Sequence, residues 1–175
     1  QVLKFAQTKV LVGAGGTEGV IGIENAQLTE EVKADLDANS INEALAVVDG
    51  GANPLVVMNR KTFFSNIMGL TDLQKRPIFQ IASDNEGKPR YFINGVRVKF
   101  NDSLPAYDVA TSTQAWAIVG DFKAYRLNCP DGRNVKTLFD PYTLATEDKS
   151  RMIGKLYVAG NVCKPKSLAK LVKKA

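Results

Sequence analysis

The dipeptide Asn94-Gly95 constrains this chain more tightly than any other pair of its residues. Both residue types tolerate the positive φ angles of a type I′ turn, whose twist matches that of two flanking antiparallel strands. Tyr91-Phe92-Ile93 leads into the pair, and Val96, Val98 and Phe100 leave it in alternation with Arg97 and Lys99. A period of two with one polar side predicts a β-hairpin that turns its other side to a core.

The rest of the chain mixes strands with helices. Lys9-Val10-Leu11-Val12 is a short apolar run ending in a glycine loop from Gly13 to Gly19, and Val20-Ile21-Gly22-Ile23 reads as a further extended piece. Leu28-Thr29-Glu30-Glu31 predicts a helix entry, with Thr29 as cap and acids in the first turn. Ser40-Ile41-Asn42-Glu43 has the spacing of a capping box, with Ile41, Leu45 and Val48 at helical intervals. Gly50-Gly51 stops that helix and Pro54 prevents its resumption. Residues 54–58 (PLVVM) read as a buried strand, and Asn59 is placed to cap a helix bearing Phe63, Phe64 and Ile67. Residues 69–76 suggest a second short helix, residues 78–82 an extended piece, and residues 83–89 an exposed loop. Ala115-Trp116-Ala117-Ile118-Val119 is a buried strand closed by Gly120-Asp121, which places Trp116 in the core. Residues 122–127 read as a short helix or a turn into a strand, and Pro130-Asp131-Gly132 as a turn. Residues 135–139 and 152–159 are the last predicted strands. With no regular βαβ rhythm and no internal repeat, the fold class is α+β.

Composition narrows the function. The chain has 175 residues, 45 % apolar and 23 % charged, enough for one domain or two small lobes with a real core. No apolar run approaches the roughly 20 residues that cross a bilayer. There is no histidine, which removes the commonest general base and the Ser-His and Cys-His nucleophilic pairs. Cys129 and Cys163 match no zinc or redox spacing and read as free thiols. The net charge of +5 is carried by Lys164, Lys166, Lys170, Lys173 and Lys174, without which the chain is neutral. Such a terminus reads as a solvated basic tail, open to sequence-blind phosphate contact. The chain begins with Gln rather than Met, and a processed or truncated product is the expectation.

Motifs with a chemical meaning mostly fail. A dinucleotide fingerprint needs glycine at its first, third and sixth positions. Counting from Gly13, the third is Gly15 but the sixth is Glu18, whose carboxylate repels pyrophosphate. Glu30/Glu31 fits a helix's first turn, and Asp35/Asp37 would not face each other on a helix. Asp121 reads as a turn residue rather than a catalyst. No catalytic, cofactor-binding or metal-binding residues emerge.

The order of the pieces resembles the phage capsid family, the major capsid proteins of tailed double-stranded-DNA phages. Pro54-Leu55-Val56-Val57-Met58-Asn59-Arg60, running into a Phe-bearing helix, looks like the strand and Asn-led helix of that family's axial domain. Asp84-Asn85-Glu86-Gly87-Lys88 before Tyr91-Phe92 is similar to its charged loop. Asn94-Gly95-Val96-Arg97-Val98 with Leu104-Pro105-Ala106, and Ala117-Ile118-Val119-Gly120-Asp121-Phe122, resemble its later stretches. The glycine loop before Gly22-Ile23 matches the loop that leads into its axial domain. The resemblance implies an axial domain at residues 22–128 and a partial peripheral domain at residues 1–21 and 129–175, about the last half or more of a full subunit. It implies a virion capsid assembled in the host cytoplasm, with copies of the chain in pentamers and hexamers around non-specifically held double-stranded DNA. It implies no cofactor, membrane or small-molecule partner. A Lys–Asn cross-link known in the family has no mappable pair here. Asp84, Asn85, Glu86 and Lys88 form a polar, projecting loop and are the candidate subunit contacts. Two rivals remain: an encapsulin-like protein-compartment shell, and a small basic nucleic-acid-binding module, which would need basic residues interleaved with exposed aromatics.

Overall fold

The computed structural model describes residues 10–11, 22–49, 53–129, 136–141, 143, 147, 150–155 and 157–174. Their strands are β1 (Glu30–Lys33), β2 (Leu55–Met58), β3 (Phe79–Ser83), β4 (Pro89–Ile93), β5 (Val96–Phe100), β6 (Ala115–Gly120), β7 (Tyr125–Asn128), β8 (Lys136–Asp140), β9 (Arg151–Lys155), β10 (Ala159–Val162) and β11 (Leu168–Val172). An α-helix, α1 (Ser40–Val47), and short 3-10 and π-helical turns join them. Seven strands form one mixed sheet in the order β1-β11-β6-β2-β5-β4-β3, while β7 pairs with β10 and β8 with β9. The α+β class holds.

Burial explains the central strands. All six residues of β6 are buried, as an apolar run without alternation requires when both faces of a sheet are covered. On one face Val56, Met58, Ala117, Val119, Ala169 and Leu171 pack with Ile41 and Ala44 of α1 and with Phe63 and Ile67. Val57, Ile118 and Leu168 point the other way, onto Ile23, Leu104 and Val162. The Asn94-Gly95 turn forms as expected, with φ of 48° and 81° and Ile93 opposite Val96. On β6, two strands from β5, Gly120 adopts φ 136°, and a Cβ there would lie 2.9 Å from Leu168 Cα. Only glycine closes β6 against β11 in that geometry.

Several local expectations give way to tertiary pairing. Residues 28–31 do not open a helix; residues 30–33 are β1, parallel to β11, with Glu31 opposite Lys170 and bonded to it at 2.9 Å. Ile23–Asn25 is a 3-10 turn rather than an extended piece, because Glu24 must present its carboxylate to the Ala115 N–H at 2.8 Å. Helix α1 starts at Ser40, but the capping box is not formed. Asp37 caps instead, its Oδ1 accepting from the N–H groups of Asn39 at 2.8 Å and Ser40 at 2.7 Å. After a 3-10 turn at Ile67–Gly69, residues 70–76 make no helix. Asp72 Oδ1 accepts from the Gln74 and Arg76 N–H groups, and Thr71 bridges to Pro77. The single strand expected at residues 152–159 is two, β9 and β10.

The largest revision concerns the basic terminus. Ser167, Leu168, Ala169, Leu171 and Val172 are at most 1 % exposed, and β11 lies between β1 and β6 inside the sheet. The lysines sit around an apolar strand: Lys170 pairs with Glu31 and Lys173 Nζ lies 4.5 Å from the Tyr107 ring centre. A solvated tail is therefore incorrect, and a boundary at residue 128 would part β11 from its neighbour β6. The glycine loop at residues 13–19, with Val20 and Ile21, and the Pro130-Asp131-Gly132 turn lie outside the described residues; Val10 and Leu11 have helical backbone.

Candidate assembly surface

The loop read as a contact candidate is the tip of the β3–β4 hairpin. Its turn closes through the Asp84 N–H on Lys88 O and the Gly87 N–H on Asp84 O, both at 2.8 Å, with Gly87 at φ 73°. Asn85, Glu86 and Lys88 are exposed and Asp84 is half-buried. Each charge already has a partner: Arg90 Nε donates to Asp84 at 2.9 Å, and Lys88 Nζ meets Glu86 at 2.6 Å. The hydrogen bond from Arg90, helped by the Asn85 N–H, holds the Asp84 carboxyl below the usual carboxylate range. The loop is thus a stiff, internally neutral tip, since a carboxylate with several donors is committed to them.

Beside it lies a surface that the sequence reading missed. Pairing of β4 with β5 covers three residue pairs and ends at Tyr91–Val98. Past that point Pro89 has no N–H to continue a ladder, and the strands leave a cleft of about 390 Å³ lined by Arg60, Phe64, Arg90, Tyr91, Arg97, Lys99 and Phe100 among others. The rings of Phe64, Tyr91 and Phe100 stand 5.1–5.8 Å apart, over the fully buried Phe63. The Arg60 guanidinium sits 5.5 Å above Phe100, an attractive placement over a ring face. Phe64 keeps 42 % of its surface exposed. Arg60, Arg97 and Lys99 make no ion pair among the described residues. The alternation Arg97-Val98-Lys99-Phe100 was visible, but its junction with Arg60 and Phe64 depends on β2 pairing with β5.

Trp116 is 0 % exposed and packs edge-on against Tyr107 at 5.4 Å, as its apolar strand required. Asp121 is a turn residue, accepting from the Lys123 N–H at 3.0 Å. Among the described residues no group of three or more His, Cys, Asp or Glu could hold a metal, and no helix is long and apolar enough to cross a membrane. Cys129 and Cys163 are free thiols.

Several solved structures share this fold. The capsid of the empty GTA particle is 18 % identical, with a TM-score of 0.69 over 99 % of this chain and 64 % of that one. A chain from the structure of Gordonia phage Cozz is 17 % identical, with a TM-score of 0.59 over 99 % of this chain and 60 % of that one. The encapsulin SrpI of Synechococcus elongatus is 12 % identical, with a TM-score of 0.64 over 98 % of this chain and 61 % of that one. The chain therefore has the tailed-phage capsid fold and spans 60–64 % of the length of these neighbours. A search of curated proteins returns no match. The model of the phage capsid family matches residues 4–173, and the chain belongs to that family.

Proposed function

We propose that the chain is a structural, non-catalytic part of the subunit of an icosahedral phage or prophage capsid that self-assembles to enclose double-stranded DNA. The carrying observation is the family match over residues 4–173. It is supported by a fold shared with assembled capsids such as that of the GTA particle, whose C5 symmetry brings copies around an axis. On this reading the seven-stranded sheet is the axial domain and takes in Leu168–Val172 as well as residues 22–128. The β8–β9 ribbon belongs to the peripheral domain. Copies meet in pentamers and hexamers through repeated edge contacts, the Asp84–Lys88 tip lies near the axis, and double-stranded DNA is held without sequence preference. Assembly takes place in the host cytoplasm and the product is the virion capsid.

Electron microscopy of the full-length parent product, made in a bacterial host, tests this directly. Closed shells of uniform size are expected, holding DNA once packaged. A species that stays monomeric or dimeric at every concentration would refute it. The likeness to an encapsulin supports a second reading, in which shells enclose protein, and purified shells with a fixed protein content and no DNA would establish that instead.

A further inference from the structure

We infer that the cleft between β4 and β5 receives Glu43 and the exposed face around it on helix α1 from an adjacent copy; this rests on the shell reading above. The cleft combines unpaired cations with exposed aromatic surface, the residue types enriched where interfaces bury most completely. Arg60 and Lys99 are exposed and Arg97 is half-buried, and Arg90 is already committed to Asp84. What the cleft lacks is an anion with some apolar surface.

The chain supplies that complement on α1, which carries Glu43, and in the segments flanking it. Residues 34–59 contain no lysine or arginine, but do contain Asp35, Asp37, Glu43 and Asp49. Asp35, Glu43 and Asp49 are exposed and form no ion pair among the described residues. Ala46 is exposed, and Val47, four residues after Glu43 and so on the same helix face, keeps 38 % of its surface exposed. A carboxylate flanked by small apolar side chains matches a cationic rim around Phe64.

Position dictates the kind of contact. The start of α1 is held at the Asn94 turn, where Asn94 Nδ2 donates to Asn42 Oδ1 at 3.1 Å. The cleft opens at the other end of β4, four residues away and so about 13 Å along the strand. Two complementary patches at different places on one molecule make a heterologous contact, which repeats head to tail and closes into a ring where the rotation permits.

Charge exchange tests this in the protein as naturally produced. Lys99→Glu with Arg60→Glu is expected to raise the concentration needed for assembly on the order of tenfold or more, and Glu43→Lys to do the same. Both variants leave buried residues untouched, and thermal melting verifies their folding. The variant carrying all three changes is expected to recover most of the loss, which a folding defect could not produce. The wild-type requirement should also rise with salt. Folded variants that assemble like the wild type, or a triple variant without recovery, would overturn the inference and leave the shell reading intact. A wild type that never forms shells removes both. If Lys99→Glu with Arg60→Glu assembles normally but loses binding to a single-stranded oligonucleotide, the cleft is a nucleic-acid site instead.

Discussion

Replacing Gly120 by alanine isolates what holds the last strand in the sheet. At φ 136° an L side chain is strained by roughly 1–3 kcal/mol. The added Cβ also comes within 2.9 Å of Leu168 Cα, so residues 167–168 have to retreat. That retreat breaks the bond from the Asp121 N–H to Ser167 O, 2.9 Å long, at a cost of about 1 kcal/mol. Together these come to about 2–4 kcal/mol, a large fraction of the 5–15 kcal/mol typical of a domain. In urea, with a slope of about 2 kcal/mol/M, the unfolding midpoint should drop by about 1–2 M. Gly87→Ala is the matched control, because Gly87 has φ 73° but nothing within 4 Å of its absent side chain. It should cost only about 1 kcal/mol, near 0.5 M. Equal midpoints for the two variants would refute steric closure of β6 on β11.

Further outcomes follow from the same structure. Leu171→Ala, at a position 0 % exposed, should destabilise the protein by about 2–5 kcal/mol in the same urea assay; a loss under about 0.5 kcal/mol would mean that the strand is not in the core. Arg90→Met should raise the Asp84 carboxyl toward about 3.9, read by carbon NMR of that side chain against pH. Because the folded value is lowered, the pair's contribution is present above about pH 3.9 and is lost as pH falls through the folded value. An unmoved titration in the variant would exclude Arg90 as the cause. Tyr125 is pushed up to about 12 by burial, so its contribution is full below about pH 10 and is lost as pH rises toward 12. Tyr125→Phe should flatten that alkaline decline, and identical decline in both proteins would contradict the assignment.

Features set by one or two neighbouring residues were legible in the chain. Asn94-Gly95 dictates a turn because its φ angles are intrinsic to those residue types. The loop around Asp84 and Gly87 follows from local hydrogen bonds, and Ala115-Trp116-Ala117-Ile118-Val119 from having no polar side chain to expose. The missing histidine removed histidine bases and Ser-His or Cys-His pairs before any fold was known, and the sequence order of the motifs pointed to the family. Tertiary structure decided the remainder. Glu30 and Glu31 suit a helix start, yet they form an edge strand because β11 offers a ladder and Lys170 a partner. Leu168, Ala169, Leu171 and Val172 looked like spacers among lysines until β6 and β1 enclosed them. The cleft joins Arg60, Phe64 and Lys99 only once β2 pairs with β5 and β4 diverges. Local propensity is worth about a kcal/mol per residue, whereas burial of a whole strand is worth several, so long-range pairing prevails wherever the two disagree.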